Sequence, residues 1–570
     1  MLAVSVTLRH IADDPVRALT LAWRALPAPL RRWLRFAGPY GRAAALWGAG
    51  DRRAALTALE GRPARLAAFS LAVDQPQVAR SALARVSEGS GARPRLAARL
   101  AYREGRLTGA LRALEGARGW RAARLRRSLR AEVEMLEPGR LRLPGPGGNG
   151  GTGSPSIGGS GGALPPQTST ILHIVTDALP GTSAGYTIRT QEIALAQRAA
   201  GMDPHVVTRI GFPVTAGQID GRRLVTVDGV PYHRLLPWIM PGRADTIAET
   251  GLRKAARLVA DLTPQVLHAA SNYSNALIAL ALRDATRLPV VYEVRGFWED
   301  TWLSRHAVTE GLRDSDRYRL SRALETSCMQ AADLVVTLGE AMRDEIIERG
   351  VPADKILIVP NGVSDDFLQP LPDATQLRRE LGIRDGEFVV GLVSSLTAHE
   401  GIGTLLEAVK ILNDRGVRTR ALIVGDGPER GALQRQAAAL GLDAIFTGRV
   451  PMARVRDYHA VLDVFVVPRT RDRVCQLVTP LKPVEAMASG LPVVVSAVKA
   501  LGEIVKDMAT GLQAPPQDAV ALADQLQRLQ ASPELRKQLG DSAKEWVARD
   551  RTWAHNAARY ADAYARLRAR

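Results

Sequence analysis

The chain has 570 residues, 46% of them apolar and only 5% aromatic, and carries a net charge of +18, a composition that excludes collagen-like and wholly disordered chains and points to roughly three or four domains. Its longest apolar run, Ala276–Leu282, is far short of the ~18 residues that a membrane-spanning helix needs, and no secretory signal is expected at the N-terminus. Two cysteines, Cys328 and Cys475, without a CxxC pair exclude a structural zinc and fit a reducing, cytoplasmic compartment.

Charge is concentrated at the start. Residues 1–140 hold 26 Arg, no Lys and 11 acidic residues, a net +15, whereas residues 169–570 carry only +2. This first region reads as helical, with periods broken by Gly and Pro. The phrases AGDRRAALTALEG and REGRLTGALRALEG are alike and lie 55 residues apart (Gly61 against Gly116), as stacked helix pairs would produce. Leu21, Trp23, Leu26, Leu30, Trp33, Leu34 and Phe36 interleave with Arg17, Arg24, Arg31, Arg32 and Arg35. Such a segment can lie on an anionic membrane, at the inner face of the cell membrane. Packing of the same aromatics into the helical region is equally open. A basic patch also attracts nucleic acid, but no nucleic-acid-binding motif is present, so nucleic acid is not an expected partner. A Gly/Pro/Ser linker follows, residues 141–168.

From residue 169 to 365, apolar strands alternate with helical runs: Ile171–Thr176, Pro204–Arg209, Val266–Ala269, Val290–Val294, Leu334–Leu338 and Ile356–Val359. That alternation predicts a doubly wound parallel sheet. The turn PGTSAGYTIRT, with Gly181 and Gly185, opens a helix whose free N–H groups suit a phosphate or sugar hydroxyl. In VVYEVRGFWEDTW, the residues Glu293, Arg295, Trp298, Glu299 and Asp300 leave a strand at its carboxyl end. Groups there are costly unless they face a ligand or one another; an Arg295–Glu299 pair is the alternative. His268 lies on a strand and reads either as a core residue or as an acceptor contact. PNGVSDDF, Pro360–Phe367, is turn chemistry without helix. The alternation restarts over 366–550, and beyond Gly511 the pattern reads as helical to the end, with residues 551–570 expected to return to the first domain.

The stretch from Val466 to Ser496, VVPRTRDRVCQLVTPLKPVEAMASGLPVVVS, reads as strand, polar loop, short helix near Pro483, Gly490 stop, strand. Ligands of such sheets bind beyond the carboxyl ends of the strands. Arg469, Arg471, Arg473 and Lys482 suit a diphosphate there, and Glu485 suits ribose hydroxyls. Solvated arginines and a helix-capping Glu485 are the other reading.

Residues 169–570, about 70% of the chain, resemble the retaining family-4 glycosyltransferases of the GT-B fold. PNGV, LIVGDGPER, FTGRV, LDVFVVP and PLKPVEAMASGLPVV carry the resemblance. GYTIRTQ, YEVRGFWED, VSSLTAHEGIGTLLEA and VTPLKPVEAMASG are similar to the bacterial exopolysaccharide and exosortase-associated branch. The resemblance implies an α/β, GT-B architecture of two Rossmann-like domains facing a cleft behind an all-α N-terminal region. It implies a nucleotide-diphosphate sugar as donor, a glycan or lipid-linked acceptor, no metal and no cofactor. Glu485 matches the second glutamate of the family's E-x7-E motif; the first falls at Leu477, and the cations that grip the diphosphate fall at Ser395 and Glu400. The loop cations Arg469, Arg473 and Lys482 are expected to replace them, with Arg295 and Glu293 also catalytic. Glu485, Gly425, Gly427, Ser395, Leu481, Arg471, Gly185, Tyr186 and Arg189 are expected at the donor, and Glu299, Asp300 and His268 on the acceptor side. The departures at Leu477, Ser395 and Glu400 keep an inactive GT-B scaffold open, and a nucleotide-sugar epimerase is a further alternative.

Overall fold

The computed structural model describes residues 1–25, 38–143, 169–304, 306 and 311–569. The linker from residue 144 and the aromatic and basic residues 26–36 lie outside the described residues.

The appendage is built of short helix pairs: Gly38–Gly48 with Arg52–Thr57, Pro63–Ala72 with Pro76–Ala84, and Arg93–Arg103 with Leu107–Arg112, followed by Trp120–Glu134. The two similar phrases fall on the short helices Arg52–Thr57 and Leu107–Arg112. No single pair can bury its apolar face alone. Stacking solves this, with Leu59, Leu66, Phe69, Leu71, Leu96 and Leu100 in one cluster. The end of the appendage merges into the neighbouring domain: Leu107, Leu136 and Leu141 belong to the core of the first α/β domain.

That domain holds β1 (Thr170–Val175), β2 (Asp203–Thr208), β3 (Leu224–Val227), β4 (Val230–Arg234), β5 (Val266–Ala270), β6 (Val290–Val294), β7 (Leu334–Thr337) and β8 (Ile356–Ile358). Their order is β3-β4-β2-β1-β5-β6-β7-β8, parallel except where β3 meets β4. The β3–β4 hairpin is absent from the expected strands. Its turn, Asp228-Gly229, has positive φ at both residues, the geometry that an Asp-Gly hairpin requires. The second domain holds β9 (Phe388–Val393), β10 (Thr419–Val424), β11 (Ile445–Gly448), β12 (Val464–Val467), β13 (Val493–Ser496) and β14 (Leu512–Ala514), in the parallel order β11-β10-β9-β12-β13-β14. FVVGLV of β9 and TRALIV of β10 are buried at every position, as helices on both faces demand.

Two expectations need correction. The chain beyond Gly511 is not wholly helical: β14 pairs along β13, and three residues are too few to show a period. Residues Asp365–Leu368 form a short 3-10 helix where turn chemistry without helix was expected.

The chain crosses between domains at Pro360–Val363 and again at Arg551–Thr552. The crossings lie side by side, Val363 N donating to Arg551 O at 2.9 Å. The last helix, Trp553–Arg568, then packs on helix Gly185–Ala199, burying Tyr560 and Tyr564 against Ile171, Ile193 and Val266.

Candidate active site

The carboxyl ends of the two sheets face each other across a cleft of about 510 Å3. From the first domain come Gly185 and Tyr186, at the start of helix Gly185–Ala199, and Arg295, just past β6. From the second come Ser395 and Glu400 after β9, Gly425 after β10, Arg449 after β11, and Arg469, Leu481 and Lys482 after β12. A parallel sheet sends every strand's exit to the same edge, so residues far apart in sequence converge there. Arg449 was missed by the sequence reading, although it leaves a strand in the same way as the others.

The cationic loop divides into parts that face the cleft and parts that do not. Arg469, 8% exposed, donates through Nη2 to Glu400 Oε1 at 2.9 Å and through Nη1 to Val478 O at 3.0 Å. Lys482 Nζ donates to Glu485 Oε2 at 2.8 Å. Glu485 is 2% exposed and lies behind Lys482, outside the cleft lining. Arg471 is exposed and away from the cleft lining. Arg473 turns to the first domain, where Nε donates to Asp300 Oδ2 at 3.1 Å and Nη2 to Glu345. Expected as one cationic cluster, the four residues are thus two cleft residues, one solvated residue and one interdomain tie. Asp300 is occupied by that tie and by the Tyr318 hydroxyl at 2.8 Å.

The Arg295–Glu299 pair, the alternative reading of this turn, does not form. Glu299 Oε1 lies 2.6 Å from Arg349 Nη1, both side chains fully buried. Arg295 bonds instead to Glu293 Oε2 (2.7 Å), Thr190 Oγ1 (2.7 Å) and Tyr186 O (2.8 Å).

Glu293 and His268 have no surface to offer a substrate, since both are 0% exposed. Burial alone would raise the Glu293 carboxyl, but the guanidiniums of Arg295 and Arg189 outweigh it and hold the group well below the ordinary carboxylate range. It is an ionised anchor, unable to serve as a base near neutral pH. Burial lowers His268 despite the neighbouring Glu293, and its ring is held by the Tyr564 hydroxyl (2.6 Å) and Glu293 (3.1 Å). Arg189, expected at the donor, has its donors committed to Glu293 (2.7 Å), Val359 O (2.8 Å), Pro360 O (3.0 Å) and Asn361 Oδ1 (3.1 Å). It ties helix Gly185–Ala199 to the crossing PNGV.

The two glycines of LIVGDG answer to packing. A Cβ on Gly425 would sit 1.8 Å from Ser394 O, and one on Gly427 2.3 Å from Leu396 O. They let the loop after β10 lie against the loop after β9. Leu477, in place of the first glutamate of the family motif, is packed into the first domain's core with Phe297 and Leu338, an apolar contact across the domain boundary.

Two family models match the chain: "Glycosyl transferase 4-like domain" over residues 184–362 and "Glycosyl transferases group 1" over residues 373–546. Among curated relatives, a GDP-mannose-dependent alpha-(1-6)-phosphatidylinositol monomannoside mannosyltransferase of Mycolicibacterium smegmatis is 31% identical over 236 residues, 40% of this chain; the chain spans 62% of that relative's length. Among solved structures, the sucrose-phosphate synthase of Thermosynechococcus elongatus is similar at 22% identity and a TM-score of 0.56, over 70% of this chain and 99% of that one. HepE of Anabaena in complex with UDP-glucose is similar at 19% identity and a TM-score of 0.54, over 70% and 99%.

Proposed function

This chain is a family-4 glycosyltransferase of the GT-B fold, and on that premise we propose that it moves a sugar, with retention, from a nucleotide-diphosphate sugar to a glycan or lipid-linked acceptor. The carrying observation is the cleft between two parallel-sheet edges, lined by Arg295, Arg449, Arg469 and Lys482. A diphosphate leaving group needs such charge, and preorganised cations act most strongly where its charge grows. In the proposed chemistry these side chains supply it without a metal. The first turn of helix Gly185–Ala199 adds its free N–H groups. Glu485 accepts the ribose hydroxyls as Lys482 turns to the diphosphate.

In the proposed step the acceptor oxygen attacks the anomeric carbon on the face from which the diphosphate departs. The sugar–phosphate C–O bond breaks, and the acceptor's proton passes to the departing phosphate oxygen. No side-chain nucleophile is needed, which suits a cleft where Glu293 is buried and ionised.

The mannosyltransferase relative is named for GDP-mannose and HepE binds UDP-glucose, so a thermal-shift panel of the full chain with GDP, UDP and ADP tests the donor. A nucleotide at 100 times its dissociation constant should stabilise the fold by about 2.7 kcal/mol. No shift with any of them overturns the reading, and anomeric NMR of the product tests retention. EDTA should leave turnover unchanged.

Attachment to an anionic membrane is part of the same proposal. Helix Leu2–Asp13 exposes Val4, Leu8 and Ile11 beside the exposed Trp238 and Ile239, with Arg9 bonded to Pro241 O at 2.6 Å. Among the described residues no helix is long and apolar enough to cross a membrane. Sedimentation with anionic vesicles, released by salt, is expected; equal binding to neutral vesicles refutes the electrostatic version.

A further inference from the structure

A second hollow, of about 460 Å3, lies at the seam where the chain crosses between the two halves. Its size is that of a small-molecule site, roughly 300–1,000 Å3. Glu340 reaches it from the first domain, Glu503, Lys506 and Trp546 from the second, and Arg551 and Arg559 from the returning chain. Apart from Leu338, none of its lining residues lines the main cleft.

The acids of this lining are already engaged. Glu503 accepts from Glu340 N at 2.8 Å with one oxygen and from Ala341 N at 2.6 Å with the other. A Cβ on Gly339 would sit 2.2 Å from Glu503 Oε2, so the carboxylate is pressed onto the start of helix Glu340–Glu348. Asp550 pairs with Arg549 at 3.0 Å, and Glu340 pairs with Arg343. The cations are not so engaged. Among the described residues, the side chains of Arg551 and Arg559 have no hydrogen-bond acceptor and no ion-pair partner, and Lys506 Nζ donates to Gly502 O alone, at 2.9 Å.

Arg551 is half-buried, its guanidinium 4.8 Å from the centroid of the Trp546 ring. Burial depresses it below the ordinary guanidinium value; Glu503 pulls it back, and Arg559 pushes it down again. A cation taken from water without an acceptor costs free energy that a bound anion recovers. Guanidiniums match phosphate oxygens two at a time, and a lysine adds a point charge. Trp546 is the aromatic residue of this lining, and Arg551 already lies over its ring. That face is not open to a nucleobase, which favours a phosphate group without a nucleoside.

We propose that this hollow binds an inorganic polyphosphate among Arg551, Arg559 and Lys506, and that the anion is an effector that holds the two halves together at the seam. Lys506 belongs to the second domain, while Arg559 stands on the last helix, which packs on the first. The effector role rests on the donor reading above; the binding is testable without it. The experiment is calorimetric titration of the full chain with pyrophosphate at low salt, alone and with UDP, GDP or ADP in excess to occupy the main cleft. Pyrophosphate should bind with nucleotide present. Arg559→Gln and Arg551→Gln should each weaken it about 10-fold or more, and Lys482→Gln, in the main cleft, should leave it unchanged. Pyrophosphate should in turn tighten nucleotide binding about 5-fold in the parent and not in Arg559→Gln, since coupling between two sites is reciprocal. Displacement of pyrophosphate by nucleotide, parental affinity in Arg559→Gln, or no binding to the parent chain overturns the site. Nucleotide affinity unmoved by pyrophosphate overturns the effector role. Arg559 is exposed, so Arg559→Gln decides the matter even where Arg551→Gln fails to fold. Failure of every nucleotide to bind counts against the donor reading, and the Arg559→Gln and Lys482→Gln titrations then locate pyrophosphate on their own.

Discussion

Glu400 occupies the position where the family resemblance puts a cation, and it draws charge away from the cleft. Its carboxylate accepts from Arg469 Nη2 at 2.9 Å, with His399 Nε2 3.6 Å away. Glu400→Gln keeps the shape and the acceptor oxygen but removes one negative charge. Two unit charges roughly 6 Å apart, at an effective dielectric of about 20, interact by about 3 kcal/mol. Salt and cleft water screen much of this. The expected gain in nucleotide-diphosphate binding is therefore about 10-fold, or 1.4 kcal/mol. Calorimetry with UDP, GDP and ADP at low salt reads it directly, and the gain should shrink at about 0.5 M salt. Unchanged or weaker binding refutes the reasoning. It would mean that Glu400 holds a donor group rather than Arg469.

Burial, and next the Glu485 carboxylate, push Glu192 up to about 7. An acid raised on folding stabilises fully below its unfolded value, near 4.5, and that stability is lost as pH rises towards 7. Glu192→Gln should match the parent near pH 4.5 and exceed it at pH 8 by up to about 3 kcal/mol in urea titrations; parallel curves would refute this. Arg473→Ala leaves Asp300 and Glu345 without their interdomain partner; since the arginine is about a third exposed, a loss of about 2 kcal/mol is expected in chemical denaturation. Gly425→Ala must displace Ser394 O, so nucleotide melting shifts should vanish together with a clear fall in the parent melting temperature. A variant that still binds nucleotide would show that the two loops can part without harm.

Most of the fold could be read from alternation alone, because strands buried on both faces are apolar along their whole length. What escaped was short or local: β14, too brief for a period, and the β3–β4 hairpin, announced only by Asp228-Gly229. The site was harder. An ionisable residue at a strand exit has the same local sequence whether it meets a ligand or a partner from elsewhere. Arg295, Arg469 and Lys482 line the cleft, while Arg473 meets Asp300, far back in the chain, and Glu293 meets Arg189 and Tyr560. Those pairings are tertiary, so nothing near Arg473 or Glu293 announces them. Gly425 lines the cleft, and the close approach of the neighbouring loop to both Gly425 and Gly427 is a tertiary contact that their local sequence does not announce.

The paired crossings at Val363 and Arg551–Thr552 limit how the two halves can move. A single covalent thread would leave the halves free to bend and to twist about it. Two threads lying side by side and bonded to each other resist torsion, leaving one soft degree of freedom, a swing about the line joining them. Arg189, tied to both Glu293 and the first thread, anchors that axis in the first sheet. An opening about that line would therefore part Arg295 from Arg469 and Lys482 only by also breaking the Arg473 ties to Asp300 and Glu345 and the packing of Leu477.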